Sequence, residues 1–160
     1  MQLINSRRYV LGLTTLRLDE CLSNAAGDHS KEMQDLKYFA HDSPVEKNKT
    51  PWDRAKNAAF EGRCMGENIF MGAAAPEAAF HGWWESDGHR FIMFQKEANT
   101  LGLGPATGRK RRQMRRSVRG KQKIVVESTT GGRISSVRGF PQRGLPCVGR
   151  SSILLARRPG

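Results

Sequence analysis

The composition of this chain changes abruptly near Pro105, and that break limits how much of it can build a core. Residues 1–104 carry 12 Lys and Arg against 14 Asp and Glu, a formal charge of −2. Residues 105–160 carry the other 15 basic residues and a single acid, Glu127, which gives +14. The whole-chain charge of +12 therefore belongs to the C-terminal third and not to a basic globular face. All four histidines and all three tryptophans precede the break, as do the amphipathic patterns. The sequence predicts a folded domain over residues 1–104, followed by a basic, Gly/Arg/Ser-rich tail over 105–160 that is mostly disordered. About a hundred residues suffice for one small core.

Residues 3–13 read as a short helix ending at Gly12, with Asn5 and Arg8 on one side. Asp19 can cap a second helix, along which Leu22, Ala25, Ala26, His29, Met33 and Leu36 recur at three- and four-residue steps. Thr50-Pro51-Trp52-Asp53 combines a hydroxyl cap, a proline in the first turn and an acid near the positive end of the helix dipole. The helix it starts is expected to reach about Phe60 and stop at Gly62. Another is expected from Pro76 to Asp87-Gly88, and residues 91–94 and 100–104 read as short strands. Phe60, Phe80 and Phe91 read as core, as does one of Trp83 and Trp84. Beyond Pro105, residues 123–127 read as one strand and residues 152–156 as a brief apolar patch that cannot bury a core by itself. Helices first and a sheet late suggest α+β layering.

Cys21, Cys64 and Cys147 are odd in number and widely spaced, which matches neither a zinc pattern nor a disulfide framework. Cys21 reads as a small core residue, and a Cys64–Cys147 bridge has no support. No apolar run is long enough to span a membrane. No signal-peptide pattern follows Met1.

Groups capable of proton transfer or metal binding concentrate in three segments: Tyr38-Phe39-Ala40-His41-Asp42-Ser43-Pro44, Gly66-Glu67-Asn68-Ile69, and Trp83-Trp84-Glu85-Ser86-Asp87-Gly88-His89-Arg90. Two imidazoles and a carboxylate, His41, His89 and Glu67, would bind a divalent cation, zinc first, with a fourth position left to water. They would equally hold one another by hydrogen bonds with no metal. Lone histidines more often have structural roles. His29, on the apolar stripe, reads as a buried histidine bonded to a polar neighbour, and His81 as solvent-facing. Asn68 is positioned to fix the neighbours of the carboxylate, Arg90 to pair with Asp87, and Asp42 and Ser43 to shape a turn.

These segments, in this order, resemble the CAP superfamily, or SCP domain, closest to its compact bacterial branch. The resemblance runs from Leu3 to Gly104 and also takes in Asn5-Ser6-Arg7-Arg8, Gly12-Leu13, His29-Ser30-Lys31-Glu32-Met33 and the stretch from Pro51 to Arg54. It implies an α-β-α sandwich with a small antiparallel sheet between helical layers, and a cleft with His41, Glu67 and His89. Ser86, with Glu85 adjacent, stands where many eukaryotic members have a second acid. It further implies an extracellular or cell-envelope module, monomeric, whose partner is a small apolar ligand such as a lipid, or a protein. Binding is favoured over catalysis, because no nucleophile or oxyanion donor is identifiable. The alternatives are a metal-assisted hydrolase with Glu67 as general base, and a binder of nucleic acid or acidic surfaces through residues 109–123. The tail has Phe140 as its one aromatic, so nucleic acid is the less expected partner. The family's last strand has no counterpart after Gly104, which suggests a shifted reading frame or a misplaced gene end.

Overall fold

A computed structural model describes residues 1–107, 125–128 and 148–159. Helices α1 (Gln2–Val10), α2 (Glu20–Asp35), α3 (Pro51–Asn57), α4 (Pro76–Trp84) and α5 (Asp87–Met93) surround strands β1 (Arg17–Leu18), β2 (Arg63–Ala73), β3 (Thr100–Thr107), β4 (Val125–Ser128) and β5 (Val148–Arg157). The sheet order is β1-β3-β5-β2-β4, antiparallel throughout except for the short β1–β3 pair.

The sheet separates two apolar clusters. One gathers Ile4, Phe70, Phe80, Trp83, Ile92, Met93 and Leu101 around α1, α4 and α5. The other gathers Leu22, Ala25, Ala26, Ala55, Phe60 and Cys64 around α2 and α3. Central strand β5 feeds both by its two-residue period, with Ile153 and Leu155 on the first side and Leu154 and Ala156 on the second. This is the α+β layering that the sequence pattern suggests and the sandwich that the resemblance implies.

The α2 stripe is buried from Leu22 to Met33, and Asp19 accepts from the Leu22 amide as its cap. It packs closely on β3 because Gly102 and Gly104 share one face. A Cβ on Gly104 would overlap the backbone of Ala26 and Gly27, and one on Gly102 the Leu22 carbonyl. Ser30 Oγ donates to the Gly104 carbonyl at 2.6 Å across that contact. Arg8 and Asn5 lie on one side of α1, as expected, and both staple the chain. The buried Arg8 guanidinium donates to the carbonyls of Thr14, Met93, Gln95 and Ala98. Asn5 exchanges two bonds with the Leu16 backbone.

Several expectations are corrected. Residues 91–94 are not a strand; α5 runs to Met93 with Phe94 as its C-cap, and Ile92 and Met93 are buried while Phe91 is 61% exposed rather than in the core. The helix from Pro76 ends at Trp84, and a separate one starts at Asp87. Helix α3 ends at Asn57, before a left-handed Ala59. Leu36 is the C-cap of α2 and 53% exposed, outside the stripe. The missing last strand is also corrected: residues 148–157, inside the stretch read as tail, lie between β2 and β3, so the sheet does not end at Gly104. Val125–Ser128 pairs with β2, close to the expected strand at 123–127. The basic run at 109–123, Cys147 and Phe140 lie outside the described residues.

With β5 central, ending the chain after Cys147 removes the partner of both β2 and β3. Such a protein should lose its near-UV circular dichroism and cooperative unfolding. Retention of both would remove β5 from the core.

Candidate functional site

Strand β2 shifts register between Cys64 and Gly66. A bulge of this kind inserts one residue and changes which side chains share a face. Cys64 accordingly lies in the α2/α3 cluster. Past the bulge, Gly66 abuts Ile92, Asn68 donates to the His89 carbonyl at 3.1 Å, and Phe70 packs on Trp83, all on the α4/α5 side. Glu67, between Gly66 and Asn68, therefore points the other way, into the α2/α3 layer.

There its carboxylate is fully buried. His41 Nδ1 lies 2.9 Å from Oε2, and Arg54 Nη2 donates to both oxygens at 3.0 Å. His29 Nε2 lies 3.9 Å from Oε2. Arg54 reaches it from the first turn of α3, which a Thr50–Asp53 capping box fixes. The same guanidinium donates to the carbonyls of His41, Asn48 and Lys49. One buried cation thus ties the loop after α2 to the sheet.

Burial alone would raise the Glu67 pKa. The His41 hydrogen bond and the Arg54 charge outweigh it and hold the carboxyl below the usual range. An ionised carboxylate only accepts, so His41 Nδ1 is the donor. His41 Nε2 is out of solvent and has no hydrogen-bond partner among the described residues. Burial also lowers the pKa of His29, against the opposing pull of Glu67. Its Nε2–H donates to the Ala40 carbonyl at 3.1 Å, and its Nδ1 lies 3.3 Å from Tyr38 Oη. Tyr38 Oη donates to Glu32 at 2.5 Å, Ser43 Oγ donates to the same oxygen, and Asn48 Nδ2 donates to the other at 3.2 Å. The loop over residues 38–50 is therefore strapped between two carboxylates, Glu32 and Glu67.

The structure brings His41 and Glu67 together. His89 is buried on α5, over the Asn68 face of β2, with Nδ1 2.8 Å from Ser86 Oγ. Neighbouring residues of a strand project to opposite faces, so the Asn68 side chain that holds the His89 carbonyl points away from the Glu67 side. Asn68 fixes the His89 backbone rather than anything beside Glu67, and its Oδ1 has no partner among the described residues. Glu85 is exposed. His81 is exposed and His29 buried against a carbonyl, as read. Asp87 pairs with Arg90, and Ser43 Oγ accepts from the Val45 amide in the expected turn. The sequence reading assigns Arg54 no role. A glutamate inside an apolar strand is the available signal, since it demands a buried cation.

A divalent cation does not fit these residues. Both oxygens of Glu67 already accept from fixed donors, and a dication would face the Arg54 guanidinium at contact distance. Among the described residues, no group of three or more His, Cys, Asp and Glu side chains is arranged to hold a metal.

Acid should unfold the domain through this network. Folded Glu67, Glu32 and His29 all have lowered pKa values, so the unfolded chain takes up protons first. Their contribution is complete above the unfolded values, about 6.5 for His and about 4.3 for Glu. It is lost as pH falls through the folded ones. Melting temperature should decline below about pH 6.5 and fall further below about pH 4.3. Glu67→Gln should cost about 3–5 kcal/mol at neutral pH, because it leaves Arg54 buried and unpaired. A pH-independent melting temperature in the wild type contradicts this.

A profile of the cysteine-rich secretory protein family, CAP, matches residues 1–125. The chain is 35% identical over 104 residues to the uncharacterized protein YkwD of Bacillus subtilis, covering 65% of this chain and 40% of that protein. It is 32% identical over 104 residues to the uncharacterized membrane protein YlbC of the same organism, covering 65% and 30%. The chain thus spans less than half the length of these relatives. Among solved structures, an extracellular protein containing an SCP domain from Bacillus anthracis str. Ames superposes with TM-score 0.62 at 25% identity, over 99% of this chain and 40% of that one. An outer surface protein from Borrelia burgdorferi superposes with TM-score 0.60 at 12% identity, over 99% and 89%, and shares the fold. The chain belongs to the cysteine-rich secretory protein family, CAP, in its compact bacterial branch.

Proposed function

We propose that this CAP domain is a non-catalytic binding module whose polar contact to a ligand is His41 Nε2. The observation that carries the reading is an asymmetry within one imidazole. Nδ1 is committed to a buried, ionised Glu67, which fixes the orientation of the ring, while Nε2 is left without a partner among the described residues. A buried polar atom in this condition calls for an occupant. With Nδ1–H as donor, Nε2 of the neutral ring accepts, so it suits a hydroxyl or protonated acid head group. The family resemblance supplies the rest of the ligand as a small apolar body such as a lipid, with a protein partner as the other option. The same resemblance, together with the extracellular relative, supports an extracellular or cell-envelope setting. No helix among the described residues is long and apolar enough to cross a membrane.

The hydrolase alternative fares worse on the same geometry. A carboxylate engaged at both oxygens and held below its usual pKa is a weak general base. Ser43, a nearby hydroxyl, donates to Glu32.

A fluorescent long-chain fatty acid and a fluorescent sterol serve as probes. His41→Ala should weaken binding of the accepted probe to the folded protein by about tenfold, or about 1.4 kcal/mol, and should also lower the melting temperature, because it takes a donor from buried Glu67. His89→Ala should lower stability but leave the affinity of the folded fraction alone. Equal affinity in wild type and His41→Ala sinks the proposal.

A further inference from the structure

We propose that Arg54 is the built-in cation of the α2/α3 pocket, and that it excludes divalent metal from a ligand set that would otherwise accept one. The set is Glu67 with His41 and His29, two of which the sequence singles out for another grouping. Glu67 Oε2 lies 2.9 Å from His41 Nδ1 and 3.9 Å from His29 Nε2. Ligand atoms around tetrahedral zinc, bound at about 2.0–2.1 Å, sit about 3.3 Å apart. These two distances straddle that separation; to ligate, His41 Nδ1 and His29 Nε2 would each move their proton to the other ring nitrogen and give up the bonds to Glu67 and the Ala40 carbonyl. All three residues are nearly or fully out of solvent, and Glu67 is ionised there.

What occupies the space is the guanidinium. Arg54 Nη2 sits 3.0 Å from each carboxylate oxygen and donates to the His41 carbonyl, while Nη1 holds the carbonyls of Asn48 and Lys49. Those backbone bonds fix the cation independently of Glu67. A dication entering the pocket would have to displace a charge held at five points. Arginine suits this role because its planar fork satisfies carboxylate and carbonyls together and cannot lose its proton. Charge is thus balanced by the chain itself, and the loop over residues 38–50 closes on the sheet without an ion.

The test uses the full chain, with Zn²⁺ and Co²⁺ as probes and EDTA as chelator. In the wild type, neither metal nor chelator should move the melting temperature, and the ¹⁵N resonances of the His29 and His41 rings should not shift with Zn²⁺. Arg54→Met keeps much of the side-chain length and removes the charge. It should bind Zn²⁺ at least about tenfold more tightly than the wild type, rise in melting temperature with Zn²⁺ and give a tetrahedral Co²⁺ spectrum. Adding His41→Ala to that variant should abolish all three, which separates the pocket from metal binding elsewhere. An Arg54→Met protein that folds only when Zn²⁺ is present also supports the proposal. Saturable, EDTA-reversible shifts of the His29 or His41 ring in the wild type overturn it, and this arm decides alone if the variant does not fold. A folded Arg54→Met that binds no more tightly than the wild type overturns it as well. Because ligand binding at His41 Nε2 is read with fatty-acid and sterol probes, that reading and this one fail separately.

Discussion

A carboxylate inside a β-sheet protein must be neutralised or it prevents folding, and Glu67 is such a carboxylate. Its isolated transfer from water would cost several kcal/mol even after relaxation. Arg54 and His41 offset that cost, and satisfying them dictates the surroundings. Helix α3 must start close enough to β2 for the guanidinium to reach both oxygens. The loop from Ala40 to Lys49 must turn its carbonyls inward to receive the remaining donors. The segment that reads as a catalytic or metal-binding motif is thus held in place by the demands of one buried charge.

The rest of the sandwich provides the frame in which this charge can sit. Glycines 102 and 104 let α2 settle on β3 at backbone distance, which brings His29 and Ser30 over the sheet. The bulge in β2 gives Cys64 and Glu67 a common face, and leaves Asn68 and Phe70 to α5 and Trp83. Without the bulge, a strict two-residue alternation would put Cys64 on the Asn68 side. The polar site and the apolar core are consequences of one register.

Much of this is legible where local chemistry is strong. The stripe from Leu22 to Met33, the Asp19 cap and the Thr50–Asp53 box are signals contained within a few residues, and the structure follows them. The family motifs locate His41 and Glu67. What fails depends on long-range context. Phe91-Ile92-Met93-Phe94 is a short apolar run, and such runs do not distinguish a buried strand from a helix turn. Strand β2 is hidden because Gly66, Glu67 and Asn68 interrupt its alternation just where the bulge falls. Strand β5 is hidden by the basic sequence around it, although Ile153 to Ala156 alternates cleanly between the two cores once its partners are in place. That Asn68 reaches the His89 backbone while Glu67 reaches Arg54 is hidden because the strand parity separating the two cannot be assigned before the strand is recognised. Arg54 escapes notice because it lies on a helix whose buried face becomes apparent only when β2 is opposite.

The most direct measurement is the ¹³C NMR titration of the Glu67 side-chain carboxyl in the full chain, followed from neutral pH downward. With Arg54 and His41 as its partners, the resonance should begin to move only below the ordinary glutamate range, about pH 4.3, and Arg54→Met should shift that midpoint upward. A Glu67 midpoint above the ordinary range in the wild type would mean that desolvation wins, and that the buried pair does not hold this fold together.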